Sequence, residues 1–224
     1  EVNQRIEQCK HAIELEKNPT SKLNINGEEK NSVIEMLGET INSGFDDYCS
    51  VFPSSDTVIY FASRRFPKNI LKKDHWDEKA MEDIYYSTLS EGKWCAAQNI
   101  SAPINTKKHE APDYVSADVK KLYFYRGEKQ GTVYVSEKDA SGNWTKPAKL
   151  SQSKNINTPM WETSLSFTIN GNAIHFASNK KGGQGGRDIY KSVLIDDGTW
   201  GLPENLGAEI NTPFDEDAPF LSPD

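Results

Sequence analysis

Short runs of alternating apolar and polar residues fill most of the chain, and one run of aromatic and small residues recurs. Its pattern is aromatic-Phe-Ala-Ser, followed at intervals by Asp-Ile-Tyr, Trp and Ile-Asn. The three copies, of which the middle one is looser, end at Asn105, Asn157 and Asn211. A period of about 50 residues is typical of propeller blades. Each copy therefore predicts one blade of four antiparallel strands.

The repeat predicts an all-β fold, a β-propeller of four-stranded antiparallel blades over residues 41–224. The blades cover about 41–105, 106–157 and 158–211, and residues 212–224 begin a fourth. Turn residues that tolerate positive φ, such as Asn170 and Gly171, separate the predicted strands. Three blades and one strand would leave open sheet edges, which proteins normally cover.

The start of the chain has a different pattern. Between charged residues, apolar side chains recur every three or four positions, at Val2, Ile6, Cys9 and Ile13. Because a lone helix of this length is marginal in water, the apolar face of residues 1–19 is expected to dock on the propeller or on preceding helices, and the last helix of a preceding helical region is the favoured interpretation. Residues 20–40 are polar and are predicted as a linker with one short strand around Val33 to Leu37.

The charge and hydropathy of the chain argue against nucleic acid as a partner and against a membrane-spanning segment in this sequence. The chain has 26 Lys and Arg against 33 Asp and Glu, a formal net charge of -7, and its mean hydropathy is -0.71. Nucleic acid is an unsuitable partner, because its binding requires clustered cations. No apolar run reaches the roughly 18 residues of a membrane span. Cys49 and Cys95 are predicted as small buried thiols, since the three cysteines show no Cys-x-x-Cys spacing.

No residue pattern points to catalysis or to a cofactor. The four histidines stand in different contexts, and neither Gly-x-Ser-x-Gly nor His-Glu-x-x-His occurs. The glycine run at 182–186 precedes a predicted strand rather than a helix, so it is predicted as a hairpin loop and not as a phosphate site. The acidic run at 215–217 lacks the ligand spacing of an EF-hand. We therefore predict a protein that is not an enzyme, with no catalytic, cofactor-binding or metal-binding residues.

A long charged insertion separates Ser63 from Asp83 in the first copy. Long loops on rigid scaffolds often bind partners. Arg64, Arg65 and Trp76 are therefore candidates for contact with a partner. The alternative is a solvated surface loop, and both interpretations stay open at this stage.

Acidic residues open the predicted first strand of every blade: Asp46, Asp47, Glu110, Glu162, Glu216 and Asp217. In a radial arrangement they would gather near one mouth of the central channel and could bind a cation or a basic peptide. The alternative is that each carboxylate accepts hydrogen bonds from backbone N–H groups of its own inter-blade turn. The regular spacing of Trp94, Trp144 and Trp200 favours packing between blades over an exposed binding platform.

Several segments resemble the TolB-type propeller repeats of envelope proteins from the Bacteroidetes group, namely residues 37–43, 60–65, 182–190 and 205–213. In that family, the propeller often follows tetratricopeptide helices and precedes an OmpA-type peptidoglycan-binding domain, as in the PorE-like component of the type IX secretion system. The resemblance therefore implies that residues 1–19 are the last helix of a tetratricopeptide-like region. Family propellers commonly have six blades, so the resemblance implies about half a ring.

The resemblance also implies a function. A periplasmic, outer-membrane-associated scaffold would bind an outer-membrane or secretion partner and reach peptidoglycan through a C-terminal domain that this sequence does not include. Partner contact would come from the blade-connecting loops and a few aromatic and Arg anchors. Two alternatives stay open: an accessory propeller of a serine peptidase, and a glycan-binding module, which would need exposed Trp side chains.

Overall fold

The computed structural model describes residues 20–25, 28–33, 36–65, 74, 77–127, 132–150, 155–195 and 198–221. The chain divides into two units, residues 1–42 and 43–224. The helix predicted in residues 1–19 and the candidate Trp76 lie outside the described residues. Every regular element in the described ranges is a β-strand. That part of the chain contains no helix capable of crossing a membrane.

The first unit contains an antiparallel hairpin of β1 (Thr20–Ile25) and β2 (Glu28–Val33). The strand predicted around Val33 to Leu37 is therefore placed too late, because β2 ends at Val33 and residues 36–38 are not in a strand. A turn follows, in which the N–H groups of Ile41 and Asn42 donate to the Gly38 carbonyl at 3.2 and 2.8 Å. Gly38 has a φ of 83°, which suits glycine in a left-handed turn.

The second unit contains three antiparallel sheets in which strands adjacent in sequence are neighbours. Blade 1 comprises β3 (Asp47–Val51), β4 (Val58–Ser63), β5 (Asp83–Ser90), β6 (Lys93–Trp94) and β7 (Gln98–Asn99), with β6 and β7 both paired to β5. Blade 2 comprises β8 (His109–Val115), β9 (Lys121–Gly127), β10 (Thr132–Glu137) and β11 (Ala148–Lys149). Blade 3 comprises β12 (Glu162–Phe167), β13 (Ala173–Ser178), β14 (Asp188–Val193) and β15 (Glu204–Asn205). The predicted fold class, an all-β partial propeller of four-stranded blades, is confirmed.

The first strands of the three blades lie side by side, β3 next to β8 and β8 next to β12. Each of them has a bulge at the same place in its pairing with the second strand, for example between Tyr48 and Val51 in β3 and between Thr163 and Ser166 in β12. A bulge bends the strand and increases its twist. The first strands are thus the inner strands of a radial arrangement, as in a propeller.

The core lies between the blades, in two apolar clusters. One joins blades 1 and 2 and includes Tyr60 and Phe124, and the other joins blades 2 and 3 and includes Phe176. The second strands are apolar on both faces because both faces are covered, which explains the aromatic-Phe-Ala-Ser pattern. Trp144 packs edge-on against Tyr60 of the preceding blade at 6.2 Å. Its predicted role between blades is confirmed.

The other two recurring tryptophans, Trp200 and Trp94, differ in whether a neighbouring blade covers the aromatic pair to which they belong. Trp200 is 7% exposed and lies 6.0 Å from Phe167, whose ring is 4.6 Å from Tyr123 of blade 2. Trp94 pairs in the same way with Phe52 at 6.2 Å, but Phe52 is 41% exposed. Packing between blades thus holds for Trp144 and Trp200, whereas the contact observed for Trp94 is within blade 1.

The prediction of buried thiols is wrong. Cys49 is exposed and Cys95 is half-buried, and both are free. Cys49 has a positive φ of 50° and lies in the bulge of β3, where the strand departs from regular pairing. Its repeat position suggested only a small residue, whereas the bulge decides which way the side chain points.

Residues after blade 3 run beside its inner strand. The Glu216 N–H donates to the Arg187 carbonyl at 2.8 Å, and the Leu221 N–H donates to Ser166 Oγ at 3.0 Å. Ala218 has a φ of 51°, the counterpart of Ser164 at 58° in β12. This segment repeats the backbone turn of a first strand, although residues 212–221 are not paired as a regular strand.

Candidate interaction site at the inter-blade turns

A carboxylate at the start of each first strand fixes the turn that precedes it. Glu162 accepts hydrogen bonds from the Thr158 N–H and hydroxyl, both at 2.7 Å. Glu110 is bonded in the same way by Thr106, Asp47 by Ser43 and Glu216 by Thr212. These acidic residues therefore cap their own turns, which is the second of the two interpretations considered from the sequence.

Burial separates the acidic candidates into two groups. Glu110 and Glu162 are 0% and 1% exposed, so a partner cannot reach either side chain in this conformation. Burial raises the pKa of Glu110, partly offset by the hydrogen bonds from Thr106. The side chains of Asp46 and Asp217 are 51% and 39% exposed and stay accessible.

A basic residue near the end of each second strand lies over aromatic rings and forms an ion pair with the capping carboxylate. Arg65 is 2.8 Å from Asp47 and about 5 Å from the ring centres of Phe61 and Tyr85. Equivalent positions are held by Arg126 over Phe124 and Tyr134, and by Lys180 over Phe176. Burial raises the pKa of Asp47, but hydrogen bonds from Arg65, Ser63 and Ser43 outweigh it, so the net pKa is lowered. Arg65, proposed from sequence as a contact residue, is therefore an internal part of blade 1.

A group of charged side chains, all but Asp77 largely buried, lies where the insertion leaves blade 1. Arg64 is 2.5 Å from Asp77 and 3.6 Å from Glu82. His109, at the start of β8, is 2.6 Å from Glu82 through Nδ1 and 3.5 Å from Asp74 through Nε2. The hydrogen bond to Glu82 raises the pKa of His109. The group ties the described insertion residues Asp74 and Asp77 to blades 1 and 2.

One carboxyl group links the inner strands of blades 2 and 3. Asp113 Oδ1 accepts hydrogen bonds from the Ser164 N–H at 3.1 Å and from the Leu165 N–H. Asp113 Oδ2 is buried and has no hydrogen-bond partner. Burial raises the pKa of Asp113 to about 7, and the nearby Asp217 adds to the shift. The sequence analysis did not single out Asp113, because it belongs to no motif.

The glycine run at 182–186 has no room for a phosphate. The N–H groups of Gln184 and Gly185 already donate to the Asp188 carboxylate, at 2.6 and 3.0 Å. A Cβ on Gly185 would lie 2.2 Å from the Phe214 carbonyl oxygen. The loop is a close-packed hairpin connection, as predicted, and its glycines allow the backbone of residues 212–215 to approach.

Large apolar side chains are exposed on the inter-blade turns. Phe45 is 53% exposed and Phe214 is 78% exposed, and each stands two residues before the carboxylate that caps its turn. Trp161, one residue before Glu162, is 37% exposed, with Arg187 5.9 Å from its ring centre. Exposed aromatic residues on rigid turns are suited to contact with another protein.

The described residues contain no group of three or more His, Cys, Asp or Glu side chains placed to bind a metal ion. The two histidines among them are His109, which forms an ion pair with Glu82, and His175, which packs within blade 3. His175 lies in β13, where burial and the nearby Lys191 lower its pKa. Its position matches the packing role predicted for it.

No family model matches the chain. No curated protein matches it either. The solved structures that resemble it include TolB from Acinetobacter baumannii, with 16% identity, a TM-score of 0.44, and coverage of 81% of this chain and 36% of that chain. A putative TolB from Agrobacterium tumefaciens shows 13% identity, a TM-score of 0.46, and coverage of 84% and 59%.

A further similar structure is prolyl oligopeptidase B from Galerina marginata, with 13% identity, a TM-score of 0.40, and coverage of 70% of this chain and 20% of that chain. The chain thus spans between about a third and three fifths of the length of the two TolB structures.

The sequence reasoning missed Phe45, Trp161 and Phe214, although a signal for them was present. Phe45 and Phe214 stand two residues before a capping carboxylate, the position that Lys108 and Met160 have in the other two turns. Trp161 stands one residue before Glu162. Aligning the copies on their carboxylates reveals these apolar residues at positions that a surface turn would normally fill with polar ones. Their exposure, however, is known only from the structure.

Proposed function

We propose that this chain is the propeller part of a non-enzymatic, TolB-type scaffold that binds a protein partner in the periplasm. The exposed Phe45, Trp161 and Phe214 on rigid turns carry the proposal. The turns are held by hydrogen bonds to their capping carboxylates, so the aromatic side chains are presented with little loss of backbone freedom on binding.

The resemblance of the repeats to Bacteroidetes envelope proteins supports a narrower form of the proposal. The partner would be an outer-membrane or type IX secretion component, and peptidoglycan would be bound by a separate OmpA-type domain. Of the residues proposed from sequence, Asp217 keeps an exposed side chain and remains a candidate for partner contact. Arg64 and Arg65 are 15% and 17% exposed and act mainly within blade 1.

A glycan-binding module is less well supported. It would need an exposed row of Trp side chains, but Trp200 is 7% exposed and Trp144 packs against blade 1. A serine peptidase accessory role would be recognised by a Gly-x-Ser-x-Gly sequence in the same polypeptide.

Site-specific photo-crosslinking in the native envelope tests the proposal. A photoreactive phenylalanine analogue is placed at Phe45 or at Phe214, and at Leu202 as a control, which is 83% exposed and precedes the outer strand β15 instead of belonging to an inter-blade turn. We expect one and the same envelope protein to be crosslinked from both turns and not from Leu202. Equal crosslinking from all three positions, or none from either turn, would contradict the proposal.

A variant experiment supplies the binding energetics. Phe45→Ser combined with Phe214→Ser should weaken binding of the crosslinked partner at least tenfold, because truncation of a central aromatic anchor typically costs about 2 kcal/mol or more. Thermal unfolding of this variant should be unchanged, since both side chains are exposed. Unchanged affinity would remove these residues from the site.

A further inference from the structure

All three complete blades end with the same side-chain clamp. An Asn follows the outer strand, and its side chain makes two hydrogen bonds to the backbone of the second residue of the third strand. Its Oδ1 accepts a hydrogen bond from the N–H of that residue, and its Nδ2 donates one to the carbonyl of the same residue. The pairs are Asn105 with Ile84, Asn157 with Val133, and Asn211 with Ile189, at 2.7 to 3.0 Å. The clamp thus joins the exit from a blade to its third strand.

The same exit turn occurs before blade 1, where no blade was predicted. The carbonyl of Gly38, a residue with a φ of 83°, accepts hydrogen bonds from the N–H groups of Ile41 and Asn42 at 3.2 and 2.8 Å. At the exit of blade 3, the carbonyl of Gly207, whose φ is 77°, accepts hydrogen bonds from the N–H groups of Ile210 and Asn211 at 3.1 and 2.8 Å. Asn42 therefore has the same position in its turn as the clamping residue Asn211 has in the exit turn of blade 3. Among the described residues, the Asn42 side chain has no hydrogen-bond partner.

Sequence spacing extends the match to the hairpin of β1 and β2. In each complete blade a glycine follows the third strand and precedes the clamping Asn by a nearly constant interval: Gly92 and Asn105, Gly142 and Asn157, Gly198 and Asn211. Gly27 precedes Asn42 by the same interval as Gly142 precedes Asn157. Two residues join β1 to β2, just as two residues join β5 to β6. One departure is Glu29, which stands where the blades have Trp.

We propose that residues 20–42 are the outer half of a further blade, with β1 as its third strand and β2 as its outer strand, and that the edge of β1 opposite β2 binds an added strand pair. In the complete blades, the third strand pairs on both sides, as β14 does with β13 and β15. In the described part of the chain, β1 pairs with β2 alone. Unpaired strand N–H and C=O groups are a template for strand addition.

The occupant is a strand pair of this repeat's own kind. Its first strand opens with a capping carboxylate, and its second strand has the aromatic-Phe-Ala-Ser type of sequence, because strands of these two kinds lie on the inner side of the third strand in each complete blade. A second copy of this chain does not fit, since the second strands of its blades, β4, β9 and β13, are already paired on both edges.

Peptide binding to the whole 224-residue chain tests the proposal. The probe is a synthetic peptide with the sequence of residues 158–179, which contains the first and second strands of blade 3. We expect it to slow hydrogen exchange of the Thr20–Ile25 amides at least tenfold in a saturable manner. The matched control is the same peptide with Phe176→Pro, which cannot form the second strand and should give no slowing.

Variants of the chain test the clamp. Asn42→Ala should weaken peptide binding at least fivefold, because it removes the side chain that would hold the third strand in place, while blades 1 to 3 keep their own exchange rates. No slowing at saturating peptide, slowing only outside residues 20–42, or equal slowing by the control peptide would overturn the proposal. Slowing that appears with rising protein concentration and without peptide would show that a second copy is the occupant, and would overturn it as well.

Discussion

The link that Asp113 makes between the inner strands of blades 2 and 3 should make the stability of this protein depend on pH. The substitution that tests this is Asp113→Asn. Asparagine keeps an oxygen that can accept the Ser164 and Leu165 N–H groups, but it cannot ionise. Asp113 Oδ2 has no partner, so the substituted amide disturbs no hydrogen bond at that atom.

The magnitude follows from linkage between protonation and folding. Burial raises the pKa of Asp113 from 3.8 to about 7 in the folded state. The folded protein thus keeps a proton that the unfolded chain loses above about pH 4, and stability falls as pH rises from there to 7. At about 1.4 kcal/mol for each pH unit, the loss between pH 4.5 and 8 is about 3 kcal/mol. The variant lacks this loss, so its free energy of unfolding relative to wild type should rise by that amount across the interval.

Urea unfolding followed by tryptophan fluorescence at several pH values between 4.5 and 8 gives the difference between the two proteins, in which other titrating groups cancel. Asp118→Asn is the control, because Asp118 is exposed and its hydrogen bonds lower its pKa rather than raise it. The control difference should be small and of opposite sign. A difference between Asp113→Asn and wild type that stays constant within about 0.5 kcal/mol across this range would refute the reasoning.

Two further predictions concern the turns. Gly185→Ala should lower the free energy of unfolding by about 1 to 3 kcal/mol through overpacking against a backbone carbonyl, whereas Gly44→Ala, whose Cβ would meet nothing within 4 Å, should be nearly neutral in urea unfolding. Equal effects of the two would contradict this. The raised pKa of His109 means that its ion pair with Glu82 stabilises the fold fully below the pKa of a free histidine and is lost as pH rises through the folded value. The stability deficit of His109→Gln should therefore be larger at pH 6 than at pH 9, and the reverse order would show that packing, not charge, dominates at this site.

Several features of the fold could be predicted because they depend on local chemistry that repeats. The aromatic-Phe-Ala-Ser strands, the recurring Trp and the terminal Asn gave the blades and their order along the chain. The glycine run was assigned to a hairpin because no helix follows it. In each of these cases, the residue types and their spacing restrict the backbone to one arrangement.

The candidate contact residues were less predictable. Arg65 in a charged insertion and a carboxylate at a turn fit an exposed contact as well as an internal hydrogen bond. Glu110 is buried because blade 1 and blade 2 meet over it, and Arg65 lies on aromatic rings that only the folded sheet brings together. The exposure of a side chain depends on its neighbours from distant parts of the chain, which local spacing does not specify.

The sequence by itself determined the β-sheet blades and their order along the chain, because strand periodicity and turn chemistry act over a few neighbouring residues. Only the tertiary structure decided that Cys49 is exposed, that Asp113 Oδ2 is buried without a hydrogen-bond partner, and that the side chains of Phe45 and Phe214 are exposed on the inter-blade turns. The physical reason is that burial and the resulting shifts in pKa arise where strands far apart in sequence pack together, and that packing has no local signature.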